Sequence, residues 1–270
     1  MKPYLNYNLF LMGIIEKLIG LTPFSNSYKK YRQAKVEQFQ QEFEAKHLPL
    51  RIDFYKKLLQ PNDLVFDIGA NVGNRVEAFL KCGAKVIAVE PQPSCIIVLK
   101  EKFQDKIVIE NVGLSEEPGE LEMQISTDST VSTFSKEYID KTKDRFKYSK
   151  WNEAIKVQIT TLETLLAKYG VPKFCKIDVE GYEVQVLKGL KTKLPLISIE
   201  YCVPELEQQL IDCLQYLNSL ESKSLYNYSI GETMEWALKE WKSFDSFIAH
   251  VNSTEFINTS NGDVYIKNVE

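Results

Sequence analysis

With 270 residues and 44% apolar side chains, the chain can bury one substantial core, as one large domain with an appendage or as two small domains. Its 33 basic and 37 acidic residues nearly balance at net −4, which excludes a disordered polyelectrolyte and gives no overall attraction to nucleic acid. Only two histidines, His47 and His250, and five cysteines without a C-x-x-C pair exclude zinc-finger and disulfide frameworks. The cysteines suit reduced thiols packed as small hydrophobes in a cytoplasmic protein.

The charge is unevenly spread. Residues 1–50 carry seven basic and four acidic side chains, whereas residues 200–270 carry four basic and twelve acidic. The apolar stretch Leu9–Leu21 is interrupted by Glu16 and Lys17, too short and too charged to span a bilayer, and it lacks the flanks of a signal peptide. It reads as a helix that buries one face on this protein, on a second copy, or at a membrane surface. Ser27–His47 follows as an amphipathic helix with Tyr28, Arg32, Val36, Phe39 and Phe43 near one stripe. Residues 1–50 are therefore expected to form a helical N-terminal extension, through which a homodimer or a peripheral membrane contact would form, and residues 51–270 a separate domain.

Beyond residue 60, β-branched runs alternate with helix-period segments. The predicted strands are Leu64–Ile68, Lys85–Glu90, Ile107–Leu114, Phe174–Val179, Leu196–Tyr201, Leu225–Ile230 and Val264–Lys267. Helical patterns at Arg75–Cys82, Pro93–Phe103, Leu162–Tyr169 and Tyr182–Leu190 separate the first five, which predicts an α/β fold with a mostly parallel seven-stranded sheet and helices on both faces. Glu205–Leu220 is a further amphipathic helix, and Thr160-Thr161-Leu162-Glu163 fits a capping box with Thr160 as the cap.

The segment Val65 to Asn74 is a buried strand running into a glycine-bearing turn and then a helix. Gly69 and Gly73 allow a sharp turn and the close approach of a ligand. Seventeen residues past Gly73, the second strand ends in Val89-Glu90-Pro91, where an acidic side chain sits beside the crevice and can accept both hydroxyls of a ribose. Asn71 replaces the middle glycine of G-x-G-x-x-G, which disfavours a pyrophosphate and an NAD-dependent oxidoreductase and favours a nucleoside without phosphates.

These residues carry a family resemblance. Asp67-Ile68-Gly69-Ala70-Asn71-Val72-Gly73, Val89-Glu90-Pro91, Asn111-Val112-Gly113-Leu114-Ser115 with Gly119, and Lys176 to Glu183 followed by Leu187-Lys188-Gly189 resemble the FkbM-type methyltransferases over about residues 50–270. The block Asp178-Val179-Glu180-Gly181 is the most specific element. The resemblance implies a class I methyltransferase (Rossmann-like) domain, S-adenosylmethionine as cofactor, and O-methylation of a hydroxyl on a sugar, glycan or natural product. On it, Gly69 to Gly73 with Asn71 form the wall against the methionine part, and Asp67 orients its amino group. Glu90 with Pro91 lies at the ribose, and Asn111, Val112 and Gly113 border the adenine.

Asp178 and Glu180 lie at the end of the fourth predicted strand and face one side if the chain is still extended. A carboxylate there can take the proton of an attacking hydroxyl, or several together can hold a divalent metal, and the sequence leaves that choice open. Glu183 reads as a helix-start residue, and Glu200 is a further candidate at the end of the fifth strand. Both histidines read as surface residues. The long insertion Val131–Ile155, with Phe134, Tyr138, Phe146, Tyr148 and Trp151 among a basic excess, reads either as a lid over a small-molecule or saccharide acceptor or as an excursion packed on the sheet. The alternative to an enzyme is a noncatalytic nucleoside-binding or scaffold protein that kept the fold.

Overall fold

A computed structural model describes residues 25–269. The expected helix Leu9–Leu21, and with it the dimer or membrane contact assigned to it, lies outside the described residues. The chain divides into two compact units, the second running from Leu50 to its end. Helix α1 (Ser25–Tyr55) begins in the first unit. No described helix is long and apolar enough to cross a membrane.

The second unit alternates β1 (Leu64–Ile68), α2 (Asn74–Lys81), β2 (Lys85–Val89), α3 (Pro93–Phe103) and β3 (Val108–Glu110). After β4 (Gly113–Leu114) and β5 (Gly119–Ser126) come α4 (Lys136–Thr142), β6 (Trp151–Thr160), α5 (Leu162–Tyr169), β7 (Phe174–Ile177) and α6 (Glu183–Lys188). The chain closes with β8 (Leu196–Cys202), α7 (Glu207–Leu220), β9 (Leu225–Ile230), α8 (Phe244–Val251), α9 (Thr254–Ile257) and β10 (Asn261–Lys267). The main sheet has seven strands in the order β3-β2-β1-β7-β8-β10-β9. All neighbours are parallel except β10, which inserts antiparallel between β8 and β9. The order reverses between β1 and β7, so the crevice outside their carboxyl ends is the binding position of an open α/β sheet.

The two faces of this sheet differ. On one, Phe66, Ile68, Cys175, Ile177, Ile197 and Ile199 form an apolar core with Val186 and Leu187 of α6 and Leu210 and Leu214 of α7. On the other, strand register aligns Asp67, Lys176, Ser198 and Tyr265 in one row. Buried parallel strands are ordinarily apolar on both faces, so this polar row is a departure.

Several sequence expectations change. Ile107–Leu114 is two strands: β3 joins the main sheet, while Gly113 and Leu114 pair with Ile159 and Thr160 of β6 in a second sheet ordered β4-β6-β5. Asn111 and Val112 make the link between them. The end of the supposed insertion, residues 151–155, is strand β6, held by β5. The α5 cap is Thr161, whose hydroxyl accepts from Thr164 N–H at 3.0 Å. Glu163 does not reach back; it accepts from the backbone of Lys191 and Thr192 and ties down the segment before β8. Neither histidine is a plain surface residue, since His47 is buried and stacks on Phe43, and His250 contacts the Tyr228 hydroxyl at 3.1 Å.

Candidate active site

The turn after β1 is built by backbone contacts. Gly69 and Ala70 donate to the carbonyl of Val89 on β2. Gly69 has φ +82°, and a Cβ there would lie 1.8 Å from the Asp178 carbonyl oxygen. Gly73 has φ +81°, and its Cβ would lie 2.3 Å from Phe103 on α3. Both glycines thus answer to protein neighbours as well as to backbone conformation, a reason that the ligand argument did not supply. Asn71 also has positive φ; its side chain accepts from Val72 N–H at 2.8 Å.

Glu90 leaves the end of β2 and turns inward. Its two oxygens accept from Asn71 N–H at 2.8 Å and Gln92 N–H at 2.7 Å. A carboxylate offers about four acceptor positions, and the Gln92 side chain also bonds to this one, so acceptor capacity is left for a further donor. Burial raises its pKa to about 7, against the lowering effect of those amides. Pro91 and Gln92 then lead into α3. Asp67, on β1, is buried with no hydrogen-bond partner at Oδ2, and burial lifts its pKa to about 6 despite Lys176 and Arg75. An orphaned carboxylate oxygen in that position suits a donor from a bound ligand. Asn111 is exposed, Val112 half-buried, and Gly113 buried so tightly that a Cβ would meet Ile159 and Phe134 within 2.7 Å.

Strand β7 stops at Ile177, so the alternation argument for Asp178 and Glu180 does not apply. Glu180 has φ +52°, a left-handed backbone that is costly for a side chain of this kind and is found where surrounding structure enforces it. Thr133 supplies part of that enforcement by donating its hydroxyl to the Glu180 carbonyl at 2.7 Å. By this twist, rather than by extension, Asp178 and Glu180 meet Glu200 of β8, with one oxygen of each within 4.8 Å of the others. An all-oxygen group of this kind matches the ligand preference of hard divalent cations as well as the needs of a base. The Tyr138 hydroxyl donates to Glu180 Oε2. Glu183 accepts from Val179 N–H at 3.0 Å and Gly181 N–H at 3.3 Å, which identifies it as a loop and helix-start residue. Burial raises its pKa to about 7.

Sequence reasoning missed a chain of charges beneath this cluster. Lys176 Nζ lies 2.7 Å from Asp178 Oδ2 and 3.3 Å from Asp263 Oδ1. Asp263 faces Arg75 at 3.7 Å, and Arg75 grips both oxygens of Glu232 at 2.7 and 2.8 Å. Arg51 approaches Glu232 at 3.1 Å. Burial alone would raise the Glu232 pKa, but Arg75 and Arg51 bring it down to about 2. The only signal in the sequence was the polar alternation within β7 and β10.

The insertion is pinned rather than open. Tyr138 and Phe146 are buried with Val131, Cys202 and Leu206, and the Trp151 indole donates to the Val131 carbonyl at 2.8 Å. Arg145 forks onto Glu205 at 2.9 and 2.6 Å and onto the Val203 carbonyl at 2.7 Å. The segment packs on the domain, and it reaches the carboxylate cluster through Tyr138 and Thr133.

The family model for the methyltransferase FkbM domain matches residues 67–233, which spans the turn, Glu90 and the carboxylate cluster. The chain belongs to the FkbM methyltransferase family. Its cofactor is S-adenosylmethionine, and the orphaned Asp67 oxygen and the remaining acceptor capacity of Glu90 fit that molecule's ammonium and ribose. No curated protein matches this FkbM-family sequence. Among solved structures it is similar to a TehB-like SAM-dependent methyltransferase from Corynebacterium glutamicum (10% identity, 88% of this chain and 100% of that one, TM-score 0.44). It is also similar to the plantazolicin methyltransferase BpumL (11%, 97% and 99%, 0.44) and to precorrin-6y C5,15-methyltransferase from Geobacter metallireducens (11%, 81% and 87%, 0.40).

Proposed function

We propose that this protein is a cytoplasmic O-methyltransferase that methylates a hydroxyl of a saccharide, glycan or related natural-product metabolite. Residues 51–270 are its catalytic domain and residues 1–50 an accessory extension. The observation that carries the reading is the contact between the Gly69 turn and the Asp178 backbone, which sets the carboxylate cluster against the nucleoside crevice.

When bound, S-adenosylmethionine supplies an electrophilic methyl on a sulfonium. Asp67 would meet its amino group, Glu90 its ribose hydroxyls, and Asn111, Val112 and Gly113 the adenine, with Gly69, Asn71, Gly73 and Pro91 shaping the wall. Asp178 would face the acceptor and take the proton from its hydroxyl, leaving the oxygen free to accept the methyl group that the cofactor would supply. Glu180 would orient the acceptor beside Asp178. Positioning two reactants this way supplies much of the rate enhancement of a one-step displacement.

Glu90→Ala abolishes S-adenosylhomocysteine binding measured by calorimetry; unchanged affinity sinks the assignment. Asp178→Asn keeps that binding and loses turnover on a panel of nucleotide sugars, and full activity there removes Asp178 from the reaction.

A further inference from the structure

We propose that Lys176 is the built-in counter-cation of the carboxylate cluster: its ammonium holds Asp178 in position and takes the place of a divalent metal. The inference rests on the reading of Asp178 as the carboxylate that faces the acceptor.

Lys176 is fully enclosed in the centre of the sheet between two carboxylates, Asp178 at 2.7 Å and Asp263 at 3.3 Å. Asp263 has a second cation in Arg75, and Arg75 in turn is engaged by Glu232, which Arg51 also meets. Three cations alternate with three carboxylates along this chain, so its interior is balanced. Asp178 is the end of the chain that reaches the crevice, with 30% of its side chain exposed against 4% for Asp263. The Lys176 charge is therefore directed to the carboxylate of this chain that reaches the crevice.

Two carboxylates, Asp178 at 2.7 Å and Asp263 at 3.3 Å, face the Lys176 ammonium and supply the opposite charge that a buried cation needs. A divalent cation among Asp178, Glu180 and Glu200 would sit close to that ammonium, and like charges repel strongly where water is excluded. Tyr138 meanwhile occupies Oε2 of Glu180. The Lys176 ammonium meets Asp178 at Oδ2.

The test titrates Mn2+ alone into the full-length protein, followed by electron paramagnetic resonance. Wild type is compared with Lys176→Met and with Lys176→Met/Asp263→Asn, the second variant removing the buried carboxylate that the first leaves less compensated. Thermal melting reports which variants fold. Wild type is expected not to saturate up to about 1 mM Mn2+, the weak end of oxygen-ligand sites, while a folded variant binds about tenfold tighter or more. Wild-type saturation below about 0.1 mM that Asp178→Asn removes overturns the proposal, as does a folded double variant with no gain in Mn2+ affinity. If neither variant folds, the wild-type titration with Asp178→Asn decides alone. S-adenosylhomocysteine titrated into the same wild-type sample tests the methyltransferase reading separately, because its absence of binding leaves the Mn2+ comparison intact.

Discussion

The hydroxyl of Tyr138 on α4 donates to the Glu180 carboxylate, so the insertion between β5 and β6 is tied to the loop after β7 at a residue with a left-handed backbone. Tyr138→Phe keeps the packing against Val131, Phe146 and Leu206 but leaves a buried carboxylate short of a donor. A loss of about 1–3 kcal/mol in urea unfolding is expected, with S-adenosylhomocysteine affinity unchanged. Gly181 belongs to the same contact, since a Cβ on it would lie 2.7 Å from the Tyr138 ring.

Glycine substitutions should separate sharply. Gly69→Ala forces a methyl into the Asp178 carbonyl at a positive φ and is expected to cost about 3 kcal/mol or more, or to prevent folding. Gly119→Ala meets nothing within 4 Å and should stay within about 0.5 kcal/mol of wild type. Thermal melts of the two side by side decide whether the turn is set by that backbone contact.

Stability should depend on pH through groups shifted in opposite directions. Asp67, Glu90 and Glu183 have folded pKa values raised to about 6, 7 and 7. The unfolded chain gives up these protons first, so their effect is to lower stability as pH rises from about 4 through 7. Glu232, lowered to about 2, contributes stability above its unfolded value that is lost as pH falls toward 2. Asp67→Asn is expected to raise the unfolding free energy by about 2 kcal/mol at pH 8, to change little at pH 4, and to weaken S-adenosylhomocysteine binding. Equal effects at both pH values contradict it.

Arg145 fastens the insertion by its fork to Glu205 and its contacts with the Val203 and Ser260 carbonyls. Arg145→Ala should speed limited trypsin cleavage at Lys141, Lys143, Lys147 and Lys150, all exposed, by about tenfold if local opening becomes easier by a little over 1 kcal/mol. An unchanged digestion rate means that the buried aromatics alone hold the segment.

The parallel strands and the position of Glu90 were legible because each depends on a local period followed by a turn. The β3–β4 division was not, since Gly113 and Leu114 choose their partner from β6, some 45 residues away in sequence. The meeting of Asp178, Glu180 and Glu200 was anticipated in membership but for the wrong reason: alternation would aim the first two, whereas the left-handed turn at Glu180 does. Lys176, Asp263, Arg75 and Glu232 carried little signal beyond the polar alternation within β7 and β10, because an ion pair between those strands or between α2 and the turn after β9 depends on the finished sheet.

The insertion of β10 between β8 and β9 gives the antiparallel strand an electrostatic role. Without it in place, Lys176 lacks Asp263 and Arg75 keeps Glu232 alone. The parallel strands can pair without β10, yet the charges under the crevice are balanced only when it docks. That strand acts as a latch, and its docking couples closure of the sheet to assembly of the polar centre.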